Sequence, residues 1–281
     1  MGVVELAALL SWGVFVGAVF STIGAAGGIL TSFGLITLFG VMEPNSVKPM
    51  TQLVVLVSAL TFVPGYFRRA AIVLPLGLLL GAGGLVGAYV GSTLSTLYLS
   101  DMKTFRPLFG MLTLGIAAHT FWKLYRGASE KGGSAGGGSI GRVVLRSFTP
   151  QRLAFTYGET EYRVAPWSPL VAGALISMTA SIFGVGGGFL LVPYMTAILG
   201  MPMHIIPATA AIAIFMSLVV SISNFIAMGA PIQLDLLIPI SIGTVAGAFI
   251  GPQINKALKN SWLQAIMGVV VCGIGLKYVF F

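Results

Sequence analysis

Two glycine-rich segments lie within long apolar stretches of the sequence, with their first glycines at Gly24 and Gly184. Their glycines are Gly24, Gly27 and Gly28 in the motif GAAGG, and Gly184, Gly186, Gly187 and Gly188 in the motif GVGGG. Glycine costs about 1 kcal/mol relative to alanine inside a helix, so clusters of this kind predict breaks between helices. We call residues 24–28 the first break and residues 184–188 the second break.

A new helix is expected to begin just after each break, near Ile29 and near Phe189. The first N–H groups of a helix have no intrahelical acceptor, and the positive end of the helix dipole lies beside them. Together these groups form a site for an anion. The alternative is that the glycines only allow helices to pack closely, an interpretation that suits Gly81, Gly83, Gly84, Gly87 and Gly91 better.

Polar side chains near the breaks extend the hypothesis of an anion site. They are Ser21, Thr22, Thr51 and Gln52 in the first half of the chain, and Ser181 and Thr209 in the second half. Pro49 and Pro207 stand two residues before the two later threonines, and proline suits the first turn of a helix, so two more helices are expected to begin there. A single serine or threonine in a membrane helix more often bonds its own backbone, but the repetition beside both breaks favours substrate contact. For Asn224, in another apolar run, a helix–helix contact and a ligand contact are both compatible with the sequence.

The composition places these segments in a membrane. Of the 281 residues, 57% are hydrophobic and 8% are charged, with a mean hydropathy of +0.99. Soluble chains carry about 25% charged residues because their surface faces water. Apolar runs of about 18 or more residues recur, as membrane-spanning helices require. We therefore expect an all-α, multi-pass protein of the plasma (inner) membrane, in contact with the lipid bilayer.

The same inventory argues against several other functions. Cys272 is the only cysteine, and His119 and His204 are far apart in the sequence, so neither a disulfide nor a metal site is expected. No motif for a nucleotide, haem or iron–sulfur cluster and no nucleophile–base set is recognised, so we expect no cofactor and no enzyme activity. No carboxylate lies deep in an apolar run, which disfavours cation transport. The net charge of +8 fits contact with anionic lipid better than binding of nucleic acid.

The chain carries an internal duplication. Ser21–Leu30 (STIGAAGGIL) matches Ser181–Leu190 (SIFGVGGGFL), and the glycine pair Gly87 and Gly91 (GAYVG) matches the pair in GAFIG, which begins at Gly247. Because the matches keep the same order at a nearly constant offset, we infer two homologous repeats.

A polar linker, residues 127–166, joins the repeats of residues 1–126 and 167–281. It opens with a flexible glycine- and serine-rich tract. The segment Arg142–Val164 that follows alternates and is rich in β-branched and aromatic residues, which predicts a β-hairpin outside the bilayer. A basic tether on the cytoplasmic side is favoured over a regulatory or partner-binding site.

The length of the first apolar stretch sets the number of helices in each repeat. No charged residue occurs between Glu5 and Glu43, and one straight helix of that length would run about 55 Å, against a hydrocarbon core of about 30 Å. A break there gives five embedded helices per repeat, and an odd number makes the repeats inverted, with both termini opposite the cytoplasmic linker. Lys48 is then a loop cation on the outer side. The alternative is that each break is only a kink, which gives four spans per repeat and parallel repeats.

These motifs resemble the TauE/SafE family of sulfite exporters, also called the 4-toluene sulfonate uptake permease family. The resemblance covers both repeats and rests on the break followed by an apolar helix and proline (FGVGGGFLLVP), on the later Pro-x-Thr segments and on the small-residue helix (GTVAGAFIG). The first repeat departs from this pattern, because its break has one glycine fewer and Thr31-Ser32-Phe33 stands where the second repeat has Leu191-Val192-Pro193.

The resemblance implies a secondary transporter for sulfite, thiosulfate or an organosulfonate. The competing hypothesis from the residues alone is a membrane scaffold or assembly factor that uses the basic hairpin as its contact surface. No nucleotide-binding motif is recognised, so an ion gradient is the expected driving force. The coupling ion (a proton or sodium), the direction of transport, the exact substrate and the oligomeric state stay open.

Overall fold

A computed structural model describes residues 2–23, 26–67, 72–129, 143–149, 152–158, 160–201, 205–257 and 260–280 of the chain. Along the chain, helices precede and follow one small antiparallel sheet, and they make up most of the described residues. This agrees with the helical membrane architecture expected from the composition.

Five helical elements precede the sheet. In chain order they are α1 (Val3–Ile23), α2 (Gly27–Phe33), α3 (Pro44–Phe67), α4 (Leu74–Tyr98) and α5 (Met102–Ser129). Directly after α2 the chain continues as a π-helix, π1 (Gly34–Leu38).

Five further helical elements follow the sheet. They are α6 (Trp167–Phe183), α7 (Gly188–Pro193), α8 (Ile206–Ala227), α9 (Leu234–Ala257) and α10 (Asn260–Phe280). Directly after α7 the chain continues as π2 (Tyr194–Ile198). In each set the second helix is short and ends in a π-helix, a feature that often marks functional sites.

The long helices pack across the two sets. Helix α1 lies along α9 and α6 lies along α4, while α5 packs against α10 and α3 packs against α8. Gly83 and Gly87 of α4 lie against the carbonyl groups of Leu170 and Ala174 in α6, so closely that a Cβ atom would overlap them. The packing role predicted for these two glycines is therefore confirmed.

Several helices have the length and polarity of membrane spans. Among the described residues, Val3–Thr22, Leu74–Tyr98 and Thr209–Ala227 are each long and apolar enough to cross a bilayer. Shorter apolar helices are Gly27–Leu38, Trp167–Phe183, Gly188–Ile198, Leu234–Ile250 and Ala265–Phe280. The chain is thus a multi-pass membrane protein.

One helix begins earlier than the sequence suggests. Helix α3 begins at Pro44 rather than at Pro49. Proline is tolerated as the first residue of α3 because the N–H that it lacks would have no partner there. The prediction that Pro49 opens a helix is wrong, whereas Pro207 does lie in the first turn of α8.

The linker forms three strands rather than the two of a hairpin. They are β1 (Val143–Phe148), β2 (Leu153–Tyr157) and β3 (Thr160–Val164), with β2 in the middle and both pairings antiparallel. Leu153 and Phe155 share one face of β2, and both are fully buried in a cluster with side chains of α4, π2 and α8. The sheet is therefore part of the folded bundle, and the interpretation of this segment as a tether is wrong.

Candidate functional site

Both breaks turn through the left-handed region of the backbone. Gly184 ends α6 with a φ of +72°, and Gly186 has the same value. The matching residue in the first break is Ala26, with a φ of +68°, although a residue with a Cβ enters this region only at a cost of about 1–2 kcal/mol. The second break thus needs its glycines for conformation, and the first break keeps the turn with a strained alanine. Gly24 lies outside the described residues.

The two breaks touch each other. Gly28 packs on the backbone of Val185, so closely that a Cβ atom at Gly28 would overlap the carbonyl oxygen. Between the breaks lies a cavity of only about 10 Å³, which holds one water molecule at most. Its lining includes Gly27, Gly28, Ile29, Val185, Gly186, Gly188 and Phe189. The glycines that the sequence places in two separate repeats therefore form one site.

Gly187 faces away from this contact. It precedes α7 with a φ of −72°, and a Cβ atom there would lie 3.7 Å from its nearest neighbours, in Ile176 and Leu191. These are ordinary contact distances in a conformation that any residue adopts. Gly187 can therefore carry a side chain without touching the first break.

One face of α3 runs along the second break. Lys48 lies against Gly184 and Val55 lies against Gly186. Gln52 stands between them on the same face, four residues after Lys48 and three before Val55. It is fully buried, and neither its Oε1 nor its Nε2 atom has a hydrogen-bond partner in the described part of the chain. An unpaired buried amide costs about 1–3 kcal/mol, so Gln52 has unsatisfied donors and an unsatisfied acceptor on this face of α3.

Thr51, the neighbour of Gln52, ties α3 to the short helix of the first set. Its hydroxyl shares a hydrogen bond of 3.0 Å with the hydroxyl of Ser32, and both residues are fully buried. Thr31 donates to the carbonyl oxygen of Gly27 at 2.8 Å. The Ser32–Thr51 bond holds α2 against α3 and so positions the first break, whereas the Thr31 bond lies within α2.

The site also contains a buried lysine. Lys48 is fully buried, and its Nζ atom donates to the carbonyl oxygens of Leu99 (2.7 Å) and Ser95 (3.2 Å) and to Oδ1 of Asn45 (3.2 Å). The same atom lies 5.2 Å from the centre of the Phe105 ring. The expectation that Lys48 is an exposed loop cation is therefore wrong. The four-residue spacing of Lys48 and Gln52 places both on one face of a helix. This pattern predicts a buried lysine only once α3 is known to begin before Lys48.

Two of the predicted hydroxyl groups serve the helices instead. Thr209 accepts a hydrogen bond from the N–H of Val73 at 3.1 Å and donates to the carbonyl oxygen of Ile205 at 2.7 Å, which connects α8 to the start of α4. Ser21 donates to the carbonyl oxygen of Ala18 at 3.3 Å. Neither residue lines the cavity between the breaks.

Asn224 makes a helix–helix contact. Its Nδ2 atom donates to the hydroxyl oxygens of Ser92 (2.8 Å) and Thr93 (2.9 Å), which joins α8 to α4. The sequence is compatible with a helix–helix contact or a ligand contact, and the structure favours the helix–helix contact. Ser181 is buried near the end of α6, two residues before α6 ends.

A larger cavity of about 280 Å³ lies between α3 and α8. Its wall is formed almost entirely by apolar side chains, among them Leu56, Leu60 and Phe215. Ile214 of α8 lines both this cavity and the small one between the breaks. The two cavities are therefore adjacent at this side chain.

Comparison with known proteins places this arrangement in context. The family described as "Sulfite exporter TauE/SafE" matches residues 9–278. The chain is also similar to the "Probable membrane transporter protein YunE" of Bacillus subtilis (strain 168), with 24% identity over 281 residues that cover 97% of this chain and 96% of that protein. No solved structure matches the chain.

Proposed function

The chain belongs to the TauE/SafE family of membrane transporters, and from that premise we propose that it is a secondary transporter for a small sulfur-containing anion. The proposed substrates are sulfite, thiosulfate and organosulfonates. The proposed binding site is the contact between the two breaks, together with the face of α3 that carries Gln52.

The unpaired amide of Gln52 carries this proposal. It is the polar group on α3 that lies beside the second break with no partner in the described chain, and its Nε2 atom has two N–H groups to offer an anion oxygen. The first-turn N–H groups of α2 and α7, at Gly28 and Phe189, would add donors from the backbone. None of the residues that line the small cavity has a carboxylate, so no negative charge in that lining would repel an anion.

We infer that this conformation is a closed state, in which the site between the breaks is too small for the substrate. A cavity of about 10 Å³ admits a water molecule but no sulfur oxyanion. Binding therefore requires the two breaks to separate. We propose that α2 and α7 move for this purpose, because each is short and ends in a π-helix, a local distortion of the kind found at functional sites.

The apolar cavity beside Ile214 extends the proposed range of substrates. A sulfonate group held at the breaks would direct its organic substituent towards this cavity of about 280 Å³. Such a site would accept sulfonates with an apolar substituent as well as inorganic anions. Sulfite would use the breaks alone.

We further infer that the two sets of five helices are inverted repeats with a cytoplasmic linker. An odd number of helices reverses the membrane orientation of the second set, and the pairing of α1 with α9 and of α6 with α4 is what a two-fold exchange of the sets would produce. Single cysteines can be placed at each terminus and in the sheet of a Cys272→Ser background. The cysteines at both termini should label from one side of the membrane, and the cysteine in the sheet should label from the other side. Labelling of the sheet and both termini from the same side would contradict the inversion.

Substitution of Gln52 tests the binding site. Gln52→Met keeps the length of the side chain and removes its amide. Because the lost group has no protein partner, we expect the melting temperature to stay unchanged or to rise. The affinity for sulfite should fall about 10- to 150-fold, since a hydrogen bond to a charged group contributes about 1.5–3 kcal/mol.

Ser58→Ala is the matched control for Gln52→Met. Ser58 lies six residues further along the same helix, about 9 Å from Gln52, and its hydroxyl is also buried without a partner in the described chain. Its substitution should leave sulfite affinity unchanged. A folded Gln52→Met protein that binds sulfite like the wild type would remove the basis of the proposed site.

A further inference from the structure

Lys48 presents a buried amino group whose role the proposed site does not yet include. Its Nζ atom is surrounded by three acceptors, the carbonyl oxygens of Ser95 and Leu99 and Oδ1 of Asn45. An ammonium group has three N–H donors, so the contacts match the charged form donor for donor. All three acceptors are neutral, and no carboxylate of the described chain forms an ion pair with Lys48.

The stem of Lys48 lies directly beside the second break. The Cα, Cβ and Cγ atoms of Lys48 would be 2.6–3.0 Å from a Cβ atom at Gly184, which means that the lysine stem packs on that glycine. Gly186, only two residues further along, lines the cavity between the breaks. Two residues span at most about 7 Å, so an anion at the breaks lies close to Lys48.

We propose that Lys48 provides the fixed positive charge that makes this site prefer dianions over monoanions of similar shape. The proposal rests on the proposed function and ranks its substrates, because dianionic sulfite and thiosulfate should bind more tightly than monoanionic sulfonates. Lys48 is a positioning and specificity residue rather than a direct ligand, because its three N–H groups are already used by the protein. It acts on the substrate by attraction through space.

The size of the effect follows from Coulomb's law. At an effective dielectric constant of about 20, two unit charges about 12 Å apart, roughly the span of two residues plus the length of a lysine side chain, attract each other by about 1.4 kcal/mol. This is a factor of about ten in affinity. The second negative charge of a dianion gains this attraction and a monoanion lacks it. We therefore expect wild-type protein to bind thiosulfate at least about tenfold more tightly than methanesulfonate, a monoanion of the same tetrahedral shape.

The competing role for Lys48 is purely structural. Its bonds to Ser95 and Leu99 fasten the end of α4 to α3, and Ser95 in turn donates to the carbonyl oxygen of Ile182 in α6 at 2.6 Å. Loss of these hydrogen bonds would distort the second break and lower the affinity for both anions to the same extent. The ratio of the two affinities separates the roles, because only a loss of charge changes it.

The test measures thiosulfate and methanesulfonate affinities of purified protein at about pH 6, at which thiosulfate is a dianion and an ammonium group keeps its proton, for three variants. Lys48→Gln deletes the charge, and Lys48→Arg keeps it. Asn45→Asp retains the size of the side chain and places a carboxylate 3.2 Å from the ammonium group, which cancels the charge without removing the lysine. This third variant keeps the experiment decisive if Lys48→Gln does not fold.

We expect the thiosulfate-to-methanesulfonate preference to fall about tenfold in Lys48→Gln and in Asn45→Asp, and to persist in Lys48→Arg. An unchanged preference in folded Asn45→Asp protein would overturn the proposal, as would equal losses for both anions in Lys48→Gln. Wild-type protein that binds the two anions equally would overturn it without any variant. Wild-type protein that binds neither anion would instead refute the proposed function itself.

Discussion

Alanine at Gly28 is expected to force the two breaks apart. A Cβ atom at this position would lie 2.6 Å from the carbonyl carbon of Val185 and 2.7 Å from its Cα atom. These are backbone atoms, which cannot rotate out of the way as the end of a side chain would. The added methyl group also stands in the space between the breaks that a bound anion must occupy. Overpacking of this kind costs about 1–3 kcal/mol, so affinity should drop about 5- to 150-fold.

The assay compares Gly28→Ala with Gly187→Ala for melting temperature and for sulfite binding. At Gly187 the nearest atoms are 3.7 Å away and φ is −72°, so alanine should leave stability unchanged or raise it by about 0.4–1 kcal/mol. Its sulfite affinity should match the wild type. Equal binding losses in the two variants, or normal binding in Gly28→Ala, would refute the argument from the contact between the breaks.

Three further substitutions test separate parts of the structure. Ala26→Gly should raise stability by about 0.5–1 kcal/mol in thermal unfolding, because the strain of the left-handed alanine is removed and only part of that gain is lost to the greater chain entropy of glycine. A lower melting temperature would contradict the claim that Ala26 is strained. Thr209→Val should lower stability by about 1 kcal/mol without changing sulfite affinity, since the N–H of Val73 loses its acceptor; weaker binding at unchanged stability would return Thr209 to the site. Phe155→Ala should destabilise the protein by about 3–5 kcal/mol, whereas Phe148→Ala, at a position 55% exposed, should have little effect; equal effects would show that the sheet is not anchored in the bundle.

The breaks were predictable from the sequence because their cause is local. Glycine in a left-handed conformation is a property of one residue and its neighbours, and the structure has such residues at Gly184 and Gly186. The expected short helices after the breaks also follow from local pattern, since the apolar stretches exceed the thickness of a bilayer. Ala26 shows the limit of the argument, because it adopts the same turn without the residue type that signals it.

The tertiary contacts of the site were not predictable from spacing. Whether Gly28 or Gly187 faces the other break depends on how α2, α6 and α7 pack, and the two glycines look alike in the sequence. Thr209 bonds a residue 136 positions away, so its structural role is invisible to a local motif. Lys48 was misplaced because a charged residue near the end of an apolar run usually marks a loop, whereas here the last carbonyl groups of α4 accept its hydrogen bonds.

Uptake of labelled sulfite by proteoliposomes tests the central claim most directly. With a proton or sodium gradient imposed in turn, the wild-type protein should show saturable flux well above that of protein-free vesicles under at least one gradient. At a sulfite concentration well below the wild-type KM, Gly28→Ala and Gln52→Met, reconstituted in the same amount, should lose at least about four-fifths of that flux, while Gly187→Ala keeps it. Flux by folded, inserted wild-type protein that does not exceed that of protein-free vesicles would contradict the account.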